Sequence, residues 1–278
     1  MDGYTIFLNG KFIKEGAGQL SVFSRGFLSG FGLFETMRYY KKRIVYFDAH
    51  LSRLKKSARL LGIKYPYGRY NLRAAVDEAI RVNRFSDARV RITLWKRGQG
   101  TDILVTAGRY HPYNRQKYDK GFRACVSPFR QSSGPFLSRL KSTNRILYTL
   151  AYEDSRRKGF DDAVILNEKG CIAESSRSNI FFIKERELFT PSPACGCLEG
   201  ITRKAVFDLA KEYNARVYEG EYSLSDLYAC DEAFLTGSLM GIMPLSSVGN
   251  FSLGAKKRSG LTRFFMKKYN LLPGDGIR

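Results

Sequence analysis

From Asp48 to Gly62 the chain sets Leu51, Leu54, Ala58 and Leu61 at helical spacing, opened by a capping carboxylate and closed by a glycine. On both sides of this helix the pattern changes. Tyr4–Gly10 reads as a strand ending in an Asn-Gly turn, with Lys11–Lys14 returning as its hairpin partner. A second helical run carries Leu72, Ala75, Val76, Ala79 and Ile80. After it Val90, Ile92 and Leu94 alternate with polar residues, and Lys96–Gly100 turns the chain back toward Ile103, Val105 and Ala107. Helices mixed with hairpin-linked strands predict an α+β first domain.

The rest of the chain is long enough for a second domain. With 278 residues, 44% hydrophobic and 14% aromatic, the composition is that of a globular protein with a sizeable core. Arg109–Gly121 is polar, holds Pro112 and has no periodicity, so the expected organisation is a first domain over 1–112, a linker over 113–121 and a second domain over 122–278. No apolar run reaches the length of a membrane span and Met1–Ile6 does not resemble a signal peptide, so the expected compartment is the cytoplasm. Five irregularly spaced cysteines suit reduced thiols, and with two histidines in the chain a zinc site is not expected. The formal charge of +21 would attract anions of many kinds. Its basic residues are scattered, in short groups such as Lys41–Arg43 and Lys256–Arg258, and no nucleic-acid-binding motif accompanies them. A solvated basic surface is therefore the expectation.

Two residues are candidates for the chemistry. Lys141 stands just before Ser142 and Thr143, which read as caps of a helix over about 144–158. At such a junction a partly desolvated amine becomes a nucleophile toward an aldehyde. Glu174 follows the apolar run 162–167 and a Glu-Lys-Gly turn, and its carboxylate could keep a pyridine nitrogen protonated. Read alone, the two are charges among 47 basic and 26 acidic residues, and a surface role stays open. Glycines 26, 30 and 32 permit tight turns or the close approach of a ligand or backbone. Further on come strands at 179–183, 216–218 and 232–236, a helix carrying Val206, Leu209, Ala210 and Tyr213, and a closing helix near 261–269.

Seven segments in order make a more specific pattern. They are Arg25–Phe27 with Gly30–Thr36, His50–Leu54, Lys141–Asn144, Glu174 with Ser178–Phe181, Thr190-Pro191, Leu198–Arg203, and Asp231–Ser238. Together they resemble the class IV aminotransferases of pyridoxal phosphate fold type IV, the family of branched-chain and D-amino acid aminotransferases and of aminodeoxychorismate lyase. The resemblance implies pyridoxal 5'-phosphate as cofactor, with Lys141 forming the internal aldimine and later shuttling a proton. By the same resemblance Glu174 pairs with the pyridinium nitrogen, and Arg53, the backbone at Ile201 and Thr202, and the Gly237-Ser238 loop bind the phosphate. Helix-opening Gly-Ile-Thr supports that last role physically, because helix N-termini hold phosphate well. Phe27, Phe34, Tyr39 and Arg97 are candidates for the substrate wall.

The implied fold is a two-domain α+β architecture, with a small N-terminal domain and a larger C-terminal domain built on a barrel-like sheet. The cofactor would lie in the cleft between them, Arg53 coming from the first domain and Lys141, Glu174, Thr202 and Ser238 from the second. A homodimer is implied as well. Ser24 stands where many members have aspartate, and the second arginine and the histidine of the D-amino acid enzymes are missing after Arg97. Arg145 and Ser238–Pro244 look closer to the lyases. The implied activity is transfer of an amino group between an amino acid and a 2-oxo acid. The alternative is 4-amino-4-deoxychorismate lyase activity releasing pyruvate in folate synthesis. A third reading, a basic nucleic-acid-binding protein on a degenerate enzyme fold, is opposed by the presence of Lys141, Glu174 and Arg53 together.

Overall fold

Asn9 and Gly10 adopt φ of 49° and 97°, the left-handed pair that a two-residue hairpin turn requires. They join β1 (Thr5–Leu8) to β2 (Lys11–Lys14) with Leu8 opposite Lys11, as the Asn-Gly signal predicts. The structure is a computed structural model that describes residues 3–65, 68–134, 136–254 and 260–271. The basic group Lys256–Arg258 lies outside them. The chain packs as two compact units, one holding residues 3–111 together with Leu140–Asn144, the other Pro112–Arg139 and residues 145–271.

In the first unit, α1 (Arg25–Ser29), β3 (Gly32–Tyr40), β4 (Arg43–Ile44), α2 (Phe47–Leu60), α3 (Leu72–Val82), β5 (Ala88–Arg97) and β6 (Gly100–Arg109) follow the opening hairpin. The six strands run β2-β1-β6-β5-β3-β4 with every neighbouring pair antiparallel. Leu33, Met37, Val90, Ile92, Leu94 and Val105 of the sheet bury against Leu54 and Ala58 of α2 and Val76 and Ile80 of α3. These are the positions that the two periodicities select. The helix starts two residues earlier than expected. Tyr46, at φ 54°, is the N-cap without a side-chain bond, and Asp48 sits inside the first turn. Phe47 enters the core there, which leaves the Asp48 carboxylate to complement the positive helix end instead of capping it.

In the second unit the stretch expected as a linker contains a helix, α4 (Arg115–Lys120), capped by Asn114, whose side chain accepts from Lys117 N–H. Six residues make less than two turns, too few for an amphipathic period to register. There follow β7 (Phe122–Val126), α5 (Ile146–Arg157), β8 (Asp162–Leu166), β9 (Ile172–Ser175), β10 (Asn179–Lys184), β11 (Glu187–Pro191), α6 (Ile201–Glu212), β12 (Val217–Gly220), α7 (Leu224–Tyr228), β13 (Glu232–Gly237), β14 (Gly241–Val248), β15 (Phe251–Ser252) and α8 (Leu261–Leu271).

The sheet order is β12-β11-β10-β13-β14-β7-β8-β9, with β15 against β14. It is mixed, parallel at β11/β12, β14/β7 and β7/β8. β9 ends this order, yet the turn closed by Ser175 N–H to Ser178 O at 2.8 Å returns the chain as β10 in its middle. The sheet therefore curls into a half-barrel. One face buries Phe122, Val164, Leu235 and Met243, and the other packs Phe181 and Phe234, stacked at 5.2 Å, against α6 and α8. Strand β14 is invisible to a period-two reading because Pro244 and Ser246-Ser247 interrupt it.

Candidate active site

Strand β3 carries Glu35 at an inward position between the core residues Leu33 and Met37, where an ionised carboxylate needs partners. Helix α2 supplies them one turn apart. Arg53 donates from Nε to Glu35 Oε1 at 2.8 Å and from Nη2 to Oε2 at 2.7 Å, and His50 Nδ1 lies 2.6 Å from Oε2. Burial by itself would raise the Glu35 carboxyl, but the Arg53 fork and His50 outweigh it and draw it down to about 2. Burial lowers the His50 imidazole, with Glu35 opposing, so we assign a neutral ring that donates its Nδ1 proton to the carboxylate. Arg53 is thereby held in one orientation on a rigid helix.

Lys141 lies against the same strand. Phe34 N–H donates to Lys141 O at 2.9 Å, Thr143 N–H to Gly32 O at 2.9 Å, and the Thr143 hydroxyl to Gly30 O at 2.8 Å. Residues 141–143 thus run along the β3 edge where β4 does not reach, bridging at Leu33 and Ser142. The glycines allow this. A β-carbon on Gly32 would stand 2.9 Å from both Thr143 Oγ1 and Leu94 O. Two expectations are corrected here. Lys141 belongs to the first unit and not the second, and Ser142 and Thr143 do not cap a helix, because α5 begins at Ile146 with Arg145 as its N-cap. The pull of the β3 edge, a row of backbone groups needing partners, takes both residues first.

Around the amine, Lys141 Nζ is 4.8 Å from the centre of the Phe34 ring, and the Arg91 guanidinium lies 3.8 Å from the same ring. Phe34 is thus at the lysine. Tyr39 is five residues on, about 16 Å along the strand. Arg97 is turned onto Asp102, its Nε 2.7 Å from Oδ1, and Phe27 of α1 is exposed.

In the second unit, buried Glu174 of β9 accepts from the Tyr148 hydroxyl of α5 at 2.8 Å on Oε1. Its Oε2 accepts from Asn179 Nδ2 at 3.3 Å and Leu198 N–H at 3.2 Å. Asn179 also donates to Leu198 O at 2.7 Å, tying the carboxylate to the loop that opens α6. That helix begins at Ile201 after Gly200, with no side-chain cap on its first turn. The Thr202 hydroxyl beside it is buried without a partner among the described residues, and so is that of Thr236, which pairs in register with Asn179. Uncapped N–H groups with two unsatisfied hydroxyls suit an anion with several acceptor oxygens, such as a phosphate. Asn179 thus links Glu174 to Leu198 in the loop ahead of Ile201 and Thr202, and Gly237 ends β13 one residue after Thr236, with Ser238 next in the turn.

Several of these residues escape a reading of the sequence. Arg91 is one basic residue among 47 with nothing local to mark it. Tyr148 reads as an ordinary aromatic in the first turn of a helix. Glu35 did leave a signal, a charge at the inward position of an alternating strand.

The chain is similar to known proteins over most of its length. The family model described as "Amino-transferase class IV" matches residues 32–248. An aminodeoxychorismate lyase of Bacillus subtilis is 29% identical over 269 residues, covering 90% of this chain and 89% of the relative. The crystal structure of the Escherichia coli branched-chain amino acid aminotransferase superposes with a TM-score of 0.89 at 25% identity, covering 99% of this chain and 97% of that one. The branched-chain aminotransferase of the thermophilic archaeon Thermoproteus uzoniensis, crystallised with norvaline, gives a TM-score of 0.87 at 28% identity, over 96% and 93% of the two chains.

Proposed function

Since this chain belongs to the class IV amino-transferase family, we propose that it uses pyridoxal 5'-phosphate in moving an amino group between an amino acid and a 2-oxo acid. The observation that carries this reading is the buried carboxylate of Glu174, joined through Asn179 to the loop that opens α6. That helix start is uncapped and has the unsatisfied hydroxyl of Thr202, while the unsatisfied hydroxyl of Thr236 lies opposite Asn179 in the strand register. Such a constellation fits a group with a basic ring nitrogen at one end and a phosphate at the other.

When bound, the cofactor supplies a conjugated ring that accepts the electron pair released at the substrate carbon. Lys141 would hold the cofactor through its amine and would carry a proton to and from the substrate carbon at Nζ. Glu174 holds the proton on the ring nitrogen. Ile201 and Thr202 N–H groups, the Thr202 hydroxyl, the Gly237-Ser238 turn and Arg53 hold the phosphate. Phe34 forms part of the wall, and Arg91 offers a cation for a substrate carboxylate. We keep Phe27, Tyr39 and Arg97 as weaker candidates for the wall, on the exposure of the first, the distance of the second and the Asp102 bond of the third.

The test is a substrate panel on purified enzyme. A visible absorbance that borohydride bleaches while fixing the cofactor covalently to Lys141, with 2-oxo acid formed beyond one equivalent per site only when an acceptor is supplied, is the expected result. Pyruvate and an aromatic amine released from aminodeoxychorismate without any acceptor would instead establish the lyase, a reading that the Bacillus subtilis relative keeps in play. We also propose a homodimer, supported by the exposed apolar run Leu20, Val22, Phe23, Phe27 and Leu28. Light scattering should give about twice the chain mass of 31.7 kDa. Nucleic acid is not among the partners we propose, and no retention of a labelled oligonucleotide at physiological salt is expected. No described helix is long and apolar enough to cross a membrane.

A further inference from the structure

The Tyr148–Glu174 hydrogen bond is part of a longer chain. Arg145, the residue before α5, lays its guanidinium 3.6 Å from the centre of the Tyr148 ring and anchors it by donating from Nη2 to Ser176 O at 3.0 Å. Ser176 is itself buried and donates its hydroxyl to Asp162 Oδ1, so the anchor is fixed to the strand that leads into the Glu174 turn. Arginine, tyrosine and glutamate are thus connected in series within one unit, cation to ring face and phenol to carboxylate.

Each link acts in one direction. A cation over a phenol ring favours negative charge on the oxygen and so strengthens the hydroxyl as a donor. A donor on a carboxylate favours its ionised form and lowers its affinity for a proton. Burial and the neighbouring Glu174 charge push the Tyr148 phenol far above its ordinary range, which keeps it protonated and donating across the working pH. The bond at 2.8 Å is also shorter than the two N–H contacts on Oε2 at 3.3 and 3.2 Å.

We propose that Arg145 and Tyr148 are positioning residues that set the basicity of Glu174, so that a proton shared between Glu174 and the cofactor's ring nitrogen rests on the nitrogen. The inference rests on the reading that Glu174 faces that nitrogen. Tyr148 holds one carboxylate oxygen and fixes the side-chain rotamer, while Arg145 tunes how strongly the phenol donates. Without the phenol, Glu174 competes better for the proton and the ring becomes a weaker electron acceptor.

The test uses holoenzyme reconstituted with cofactor carrying ¹⁵N in its ring. In Tyr148→Phe the ring-nitrogen resonance should move from the protonated toward the unprotonated position, and kcat should fall by roughly tenfold to a hundredfold with KM unchanged. Arg145→Met, which keeps the phenol, should move the resonance the same way by less. Glu174→Gln separates the two layers of the argument. A resonance that moves in Glu174→Gln but stays at the wild-type position in both Tyr148→Phe and Arg145→Met overturns the proposal and leaves Glu174 as the ring-nitrogen partner. A resonance unmoved in Glu174→Gln overturns both. If Tyr148→Phe does not fold, a wild-type resonance in Arg145→Met by itself overturns the series.

Discussion

Gly200 lies so close to Asn179 that a β-carbon added to it would stand 2.1 Å from Asn179 Oδ1. The amide that contacts Glu174 thus also fills the space at the start of α6. Gly200→Ala must push Asn179 off its bonds to Glu174 and Leu198, at a cost of about 1–3 kcal/mol for forcing an overfilled site apart. Gly237 is the control, since a β-carbon there meets only ordinary contacts at 3.6 Å and beyond. Thermal unfolding of the apoprotein should separate the two variants, with Gly237→Ala within about 0.5 kcal/mol of wild type. A Gly200→Ala apoprotein as stable as wild type would contradict the packing described.

Thr202 gives a prediction whose two halves have opposite signs. Its buried hydroxyl has no partner among the described residues, so Thr202→Val removes an unsatisfied polar group at nearly constant volume. Apoprotein stability should hold or rise by up to about 1 kcal/mol, while affinity for pyridoxal phosphate falls roughly tenfold. Affinity for pyridoxal, which lacks the phosphate, should not change. Fluorescence titration with the two ligands measures the difference.

Acid should unfold the first unit through Glu35. Its carboxyl is drawn from 4.5 down to about 2 in the fold, so the unfolded chain takes the proton first. The stabilisation is complete above about pH 4.5 and is lost as the pH falls toward 2, a swing of about 3 kcal/mol. His50, also lowered by burial, acts with the same sign, its contribution beginning as the pH falls below 6.5. Urea unfolding between about pH 7 and about pH 2.5 should show this slope. Glu35→Gln should be less stable at about pH 7 by about 3–5 kcal/mol, since it strands Arg53 and His50, and its acid limb should be flatter.

Lys141 should be sensitive to a residue that never touches the chemistry. Lys141→Ala should reduce turnover on the order of 10²–10⁴-fold and abolish borohydride-stable labelling. Gly32→Ala keeps the amine yet must displace Thr143 or the β5 carbonyl at Leu94, moving the Lys141 backbone off Phe34. Its expected signature is retained labelling with a large loss of kcat, and unchanged kcat would show that the strand edge does not position the lysine.

Local patterns carried much of the fold into the sequence. The period of two in β5 and β6, the period of 3.6 in α2 and α3, and the Asn9-Gly10 turn depend on neighbours within a few residues, and each appears where its pattern lies. Short or interrupted elements, α4 and β14, did not, because six residues or a proline leave no period to read.

The sequence by itself determined the family, through an ordered pattern that chance charges do not make, and it nominated Lys141, Glu174, Arg53 and the helix-opening Gly200–Thr202 as candidates for the chemistry. Tertiary structure alone decided what holds each of them. It placed Lys141 on the β3 edge in the first unit, paired Arg53 with Glu35, and set Tyr148 and Asn179 on Glu174. Such partners can be remote in the chain: Thr143 and Gly30, whose hydrogen bond helps seat the lysine segment, are 113 positions apart. The physical reason is that a buried polar group takes whichever partner the packed backbones bring within about 3 Å, and glycines such as Gly32 and Gly200 mark where such an approach is possible without naming what approaches.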